Sequence, residues 1–195
     1  MNFFERPSVN LDITHRCTLQ CPHCARQESN HWKSGWDMSD HAFDVILNHF
    51  DKIVFCGQFA DPIFHPKFPE FLEKCYKLGK TTWVHTAASH KPLQWYYDCF
   101  KANPKARWIF GIDGLPEDSH KYRVNQDGKK LFDIMCKSTD ILSEVEWMYI
   151  AFAYNENDIE TCRQLADNIG VDFSLVYSTR WSEDDPLKPS QGRYL

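Results

Sequence analysis

Short strand-like runs alternate with amphipathic helical stretches along nearly the whole chain, and this alternation narrows the available folds more than any other feature. Val9, Leu11 and Ile13 alternate with polar residues, as a strand with one buried face does. Ser39 then offers an N-cap to a helix in which Phe43, Ile46, Leu47 and Phe50 recur at i, i+3, i+4 and i+7. A strand over 53–56 follows, and then a helix that Pro66 is expected to open, with Phe68, Phe71, Leu72 and Cys75 on one face and Gly79 at its end. The unit recurs as a strand over 81–85 and a helix near Pro92 with Leu93, Tyr96, Tyr97 and Phe100 as its apolar stripe. It recurs again as strand 107–113 with helix 129–142. Strand 146–153 precedes a helix bearing Ile159, Cys162, Ala166 and Ile169, for which Asn157 and Glu160 spell a capping box and Gly170 a stop. A last strand covers 173–177. Parallel neighbours need long return connections, so six strands interleaved with five helices predict an α/β fold, a partial (β/α)6 TIM-like barrel with parallel strands. In such folds ligands gather at the carboxyl ends of the strands.

At 195 residues and 43% hydrophobic, the chain is sized for one core, expected over residues 1–178. Residues 179–195 carry Asp184, Asp185, Pro186, Pro189 and Gly192, and read as an irregular extension placed to cover the site. A net charge of −5 supplies no global positive field, which disfavours nucleic acid as a partner. The longest apolar runs, such as 147–154, fall short of the roughly 20 residues that span a bilayer, so no membrane span is expected. Residues 1–8 carry Glu5 and Arg6 and lack the apolar stretch of a secretory signal, which points to the cytoplasm. In that compartment the eight cysteines read as thiols or metal ligands, not disulfides. Cys56, Cys75, Cys99, Cys136 and Cys162 each stand alone among apolar residues and read as small buried hydrophobes.

The other three are clustered. Cys17, Cys21 and Cys24 fall within eight residues directly after the first strand, in a C-x3-C-x2-C pattern expected by chance only about 0.01 times in a chain of this composition. A short loop can wrap three thiolates around one face of a cubane cluster, whereas electron-transfer clusters use four cysteines. Three protein ligands leave one iron open. A zinc site built from Cys17, Cys21, Cys24 and His23 or His15 is the alternative, in a non-catalytic binding module. Its spacing is unusual for zinc, and no second C-x2-C or H-x3-H element accompanies it.

The motif resembles that of the radical S-adenosylmethionine (SAM) superfamily, with His23 where an aromatic residue commonly precedes the third cysteine. Two more segments carry the resemblance. The stretch 55–66, Phe-Cys-Gly-Gln-Phe-Ala-Asp-Pro-Ile-Phe-His-Pro, resembles the family's glycine-rich segment after the second strand, with Ala60 where glycine is usual. The stretch 110–123, Phe-Gly-Ile-Asp-Gly-Leu-Pro-Glu-Asp-Ser-His-Lys-Tyr-Arg, resembles one found after the fourth strand in members that modify peptides and proteins, with Gly111 in place of serine. Taken without the cysteines, these segments read as an ordinary strand-to-helix turn, a turn at Asp113-Gly114 and a surface arginine.

The resemblance covers about residues 8–177. It implies one 4Fe-4S cluster on Cys17, Cys21 and Cys24, whose open iron chelates SAM, and reductive cleavage of SAM to a 5'-deoxyadenosyl radical that abstracts hydrogen from substrate. It further implies SAM contacts from His23 near the adenine, from Gly57 and the backbone of Phe59, Ala60 and Asp61 at the amino group, and from Gly111. Asp113 is implied at the ribose, and Arg123 at the SAM carboxylate through its planar fork. A reductant such as flavodoxin or ferredoxin is the implied electron source. The branch points to a peptide or protein substrate, with a small metabolite or nucleotide as the alternative. Trp32, Trp36 and Trp181 suit either by stacking, or serve only as packing. No general base is assignable from sequence, and Cys56 and Tyr177 are the candidates for a radical relay by location alone.

Overall fold

A strand with one apolar face and a helix with one apolar stripe bury both only when helices pack against a sheet. The computed structural model describes residues 7–190 and does this with six strands. These are β1 (Ser8–Leu11), β2 (Lys52–Phe55), β3 (Thr81–Thr86), β4 (Arg107–Gly111), β5 (Val145–Ala151) and β6 (Asp172–Tyr177). They pair in chain order, every pair parallel. The returns carry α1 (Asp40–His49), α2 (Phe68–Lys77), α3 (Leu93–Ala102), α4 (Gly128–Ser138) and α5 (Ile159–Ile169). Sequential order, with β1 and β6 unpaired to each other among the described residues, makes an open barrel.

Period-2 alternation decides which side chains reach the site. On β5, Val145, Trp147, Tyr149 and Ala151 are buried on the helix-facing side, and Trp147 packs edge-on against Phe132 of α4 at 5.3 Å. Phe55 of β2 meets Phe43 of α1 and Phe68 of α2 at 5.9 and 5.3 Å, and Trp108 of β4 meets Phe100 of α3 at 4.8 Å. Each such ring removed from water contributes about 1.5–3 kcal/mol. The other parity, including His85 and Met148, faces the concave side. Register pairs Phe55 with Val84, Thr86 with Phe110, Gly111 with Met148 and Ala151 with Tyr177, so the carboxyl ends form one rim. At the opposite rim Arg107 joins Glu144, Glu146 and Asp172 across three strands.

Local signals at the element ends fare unevenly. Ser39 caps α1, its side chain accepting from Ala42 N at 3.2 Å. Pro66 does not open α2. A one-turn 3-10 helix over Pro62–Phe64 and a hydrogen bond donated by Lys67 N to His65 Nδ1 occupy that stretch, and Pro69 sits in the first turn of α2 instead. The Asn157/Glu160 capping box does not form, because Asp158 takes the N-cap position without a side-chain bond. Helix α4 stops at Ser138 and not at Leu142. The Ser138 hydroxyl bonds back to Met135 O at 2.7 Å, and Ile141 N and Leu142 N both turn onto Ser138 O. Strands β4 and β5 end two residues earlier than the apolar runs suggest, at Gly111 and Ala151. Residues 178–190 contain no helix or strand. Gly192 and the rest of 191–195, like Glu5 and Arg6, lie outside the described residues.

Candidate functional site

The loop after β1 carries the three clustered cysteines, and three neighbouring strand-end loops hold it in place. Arg16 O accepts from Asp61 N after β2 at 3.3 Å, and Thr18 Oγ1 bonds His90 Nδ1 after β3 at 2.8 Å. After β4, Gln20 N donates to Val124 O and Asn125 Nδ2 donates to Thr18 O, each at 3.1 Å. From within the loop the buried Arg26 guanidinium donates to the carbonyls of His15, Trp32 and Phe59. One side chain thereby ties together three turns of backbone.

Cys17, Cys21 and Cys24 border a single cavity of about 140 Å³ at the carboxyl rim. Gly57, Phe59, Ala60 and Asp61 line it from the β2 loop, and Gly111 and Arg123 from the β4 side. Arg26, Cys56, His85 and Met148 also line it. Burial pushes the Cys17 thiol up to about 12, with the nearby Asp61 charge acting in the same direction. Burial likewise raises Cys21 to about 11, although the Arg123 guanidinium pulls it back. Both are therefore protonated thiols in the metal-free protein at neutral pH, and a metal binding there must expel their protons. Among the described residues no three His, Cys, Asp or Glu side chains are arranged to hold a single metal ion.

The β2 loop owes its path to Gly57 and Asp61. Gly57 has φ +60°, and a Cβ there would lie 2.5 Å from Ala60 O, so only glycine fits both the conformation and the close approach. Asp61 is 5% exposed, and its carboxylate accepts from Ala87 N and Ala88 N at 2.8 and 2.9 Å, from Ile63 N at 3.3 Å and from the Thr86 hydroxyl. Burial raises its pKa, and these donors oppose the rise. Its side chain thus fastens the β2 and β3 loops together, and the residue also borders the cavity. Asp12 plays a similar part, accepting from Phe59 N at 3.0 Å.

Asp113 and Arg123 form a buried pair, with Nε donating to Asp113 Oδ2 at 2.7 Å. Asp113 Oδ1 accepts from Ile150 N at 2.9 Å, and the residue is fully buried and absent from the cavity lining. The carboxylate is directed at Arg123 and β5. Arg123 Nη2 is buried without a partner beside the cavity. A Cβ on Gly111 would lie 2.9 Å from that nitrogen, so the missing side chain at 111 is what makes room for the guanidinium.

His23 also lies apart from the cavity. Its ring pairs with Asp185 at 3.0 Å and meets Trp181 edge-on at 5.4 Å, and its carbonyl accepts from Arg180 at 3.4 Å. The segment after β6 is thereby anchored on the cysteine loop. Trp181 also packs on Phe152, Trp32 stacks on Phe59 at 3.9 Å, and Trp36 is exposed. Tyr177 lines a neighbouring groove with Tyr122, Phe152 and Arg180, whereas Cys56 is in the cavity itself. Sequence reading missed Arg26, His85 and Met148. Inner-face parity on β3 and β5 could have found the last two, and nothing local marks Arg26.

Fold and site together define an open parallel barrel with a three-thiol loop at its carboxyl mouth. No family model matches the chain. Over 84 residues it is 29% identical to the tungsten-containing aldehyde ferredoxin oxidoreductase cofactor-modifying protein of Pyrococcus furiosus, a stretch covering 39% of this chain and 22% of that protein. SuiB of Streptococcus suis bound to S-adenosylmethionine superposes over 94% of this chain and 43% of its own, with a TM-score of 0.71 at 10% identity. SuiB bound to the precursor peptide SuiA gives 0.73 at 11% identity, over 94% of this chain and 42% of its own. The protein anSMEcpe with bound AdoMet gives 0.66 at 17% identity, over 96% of this chain and 54% of its own. At these identities the likeness is one of fold. The chain spans about a fifth of the curated relative and about half or less of these structures.

Proposed function

We propose that the chain is a radical SAM enzyme. The observation that carries the reading is that Cys17, Cys21 and Cys24 border the same strand-end cavity as the Gly57 to Asp61 loop and Arg123. The residues fit the group: three sulfur donors border one cavity, and the unpartnered Arg123 Nη2 at the same cavity offers a hydrogen bond to an anion. When bound, a reduced 4Fe-4S cluster with one iron free of protein ligands supplies the electron that cleaves SAM to methionine and a hydrogen-abstracting carbon radical.

The protein's own part is to hold and to shield. Cys17, Cys21 and Cys24 act as the thiolates; Gly57 and the backbone at Phe59, Ala60 and Asp61 receive the SAM amino group; Arg123, oriented by Asp113, receives its carboxylate. Asp113 thus acts through Arg123. Gly111 contributes space for the guanidinium, and His23 contributes backbone near the adenine. Residues 1–178 form the catalytic unit, and the segment from 179 strapped to His23 covers the mouth. A flavodoxin- or ferredoxin-type reductant in the cytoplasm supplies electrons. The favoured substrate is a peptide or protein, supported by the SuiA-bound SuiB and by anSMEcpe with a bound Cp18Cys peptide.

The test is oxygen-free reconstitution with iron and sulfide, followed by SAM and dithionite. Formation of 5'-deoxyadenosine supports the enzyme. Stoichiometric zinc, with no cluster and no SAM cleavage, supports the zinc-stapled module instead.

A further inference from the structure

Four of the eight cysteines border the cavity, and one of them lies outside the C-x3-C-x2-C loop. Cys56 follows β2 on the concave side and is half-buried, with its Sγ 3.9 Å from Asp12 Oδ2. Asp12 is itself fixed by Phe59 N on its other oxygen. Cys75, Cys99 and Cys162 are sealed in the core beneath the helices, and Cys136 lies on α4 outside the lining. Cys56 is thus the one thiol beyond the motif that a molecule in the cavity can reach, among the described residues.

Its setting keeps the proton on sulfur. Burial raises its pKa, and the neighbouring Asp12 charge and hydrogen bond raise it further. A carboxylate neighbour disfavours a thiolate, so the same setting opposes recruitment of Cys56 as a fourth metal ligand. The cavity also carries an independent sign of an occupant, since Arg123 Nη2 is buried at its edge without a partner. An S–H bond is weaker than an alkyl C–H bond, so transfer of its hydrogen to a carbon radical runs downhill.

We propose that Cys56 is a hydrogen-atom donor to carbon radicals formed in this cavity, an inference that rests on the radical SAM reading above. In the step the S–H bond of Cys56 breaks homolytically and a C–H bond forms, leaving the unpaired electron on Sγ. One electron from a flavodoxin- or ferredoxin-type reductant and one proton from solvent restore the thiol. Asp12 is a positioning residue that holds the thiol through their 3.9 Å contact.

The test needs no knowledge of the substrate. Reconstituted protein is incubated in D2O with SAM and titanium(III) citrate, with no added thiol, and the 5'-deoxyadenosine is analysed by mass spectrometry. In D2O the exchanged S–D of Cys56 delivers deuterium, so most of the 5'-deoxyadenosine from the wild type should carry one. Cys56→Ser keeps the size and the contact with Asp12 but has an O–H bond too strong to donate, and the deuterated fraction should fall at least fivefold. Iron and sulfide content should match the wild type in both Cys56→Ser and Cys56→Ala. In the metal-free folded protein, methyl methanethiosulfonate should label Cys56 and spare Cys75, Cys99 and Cys162. An unchanged deuterium fraction in Cys56→Ser overturns the donor role while leaving the enzyme reading intact. Loss of iron in both variants makes Cys56 a ligand and overturns it too. A wild type that binds no cluster removes the enzyme reading and this proposal with it.

Discussion

Replacing Asp61 by alanine should destabilise the metal-free protein. Its carboxylate is the acceptor for two main-chain donors on the β3 loop, Ala87 N and Ala88 N, and for Ile63 N and the Thr86 hydroxyl on either side of the same junction. Truncation leaves at least the first two donors buried and unsatisfied, at about 1–3 kcal/mol each. Relief of the buried charge offsets part of that, which leaves a net loss of about 3–4 kcal/mol against a typical total of about 5–15 kcal/mol. In urea unfolding followed by circular dichroism this moves the midpoint down by about 1–4 M for a slope of about 1–3 kcal/mol per M. Asp61→Asn should lose about 2 kcal/mol, because one oxygen is kept while the amide presents donors to donors. A loss below about 1 kcal/mol for Asp61→Ala would refute the idea that this carboxylate fastens the two loops.

Burial holds His85 below its ordinary value of 6.5, against the opposing pull of Glu146. A lowered folded-state pKa means its contribution is complete above 6.5 and is lost as pH falls through the lower value, so urea midpoints of the metal-free protein should drop below pH 6.5 and His85→Gln should flatten that drop. Gly57→Ala places a Cβ 2.5 Å from Ala60 O at φ +60°, and should cost about 1–3 kcal/mol in urea while weakening SAM binding in calorimetry. Gly111→Ser drives the guanidinium of Arg123 from its place beside Asp113, and should cost about 1–3 kcal/mol of stability together with a several-fold loss in SAM affinity. Cys21→Ala should abolish cluster binding, read as iron per chain after reconstitution.

Much of this molecule is legible in its order of residues because the physics involved is local. Period-2 and period-3.6 apolar patterns are set by the geometry of strand and helix, and those around Trp147 and Phe71 sufficed to predict the parallel sheet. The gathering of Cys17, Cys21, Cys24, Gly57 and Arg123 is what the family resemblance implied, and the rule that strand ends share one rim agrees with it. What escaped depends on partners far along the chain. Asp113 carries the sequence marks of a ligand contact, yet its carboxylate is spent on Arg123 and Ile150 N, a pairing only the folded β4 and β5 bring about. His23 is drawn to Asp185, more than 150 positions away in the chain, by a segment without periodic pattern. Helix starts at Pro66 and Asn157 failed for a smaller reason, since Pro69, three positions further on, and Asp158, one position further on, take those turns instead.

The proposed function rests on three cysteine sulfurs leaving one iron free to take a small molecule. Electron-nuclear double resonance of the reduced, reconstituted protein with SAM labelled by 15N at its amino group and 17O at its carboxylate tests this directly. Hyperfine coupling from both labels to the cluster is the result expected here. A fully formed cluster that shows neither coupling, with a fourth protein ligand on the remaining iron, would contradict it.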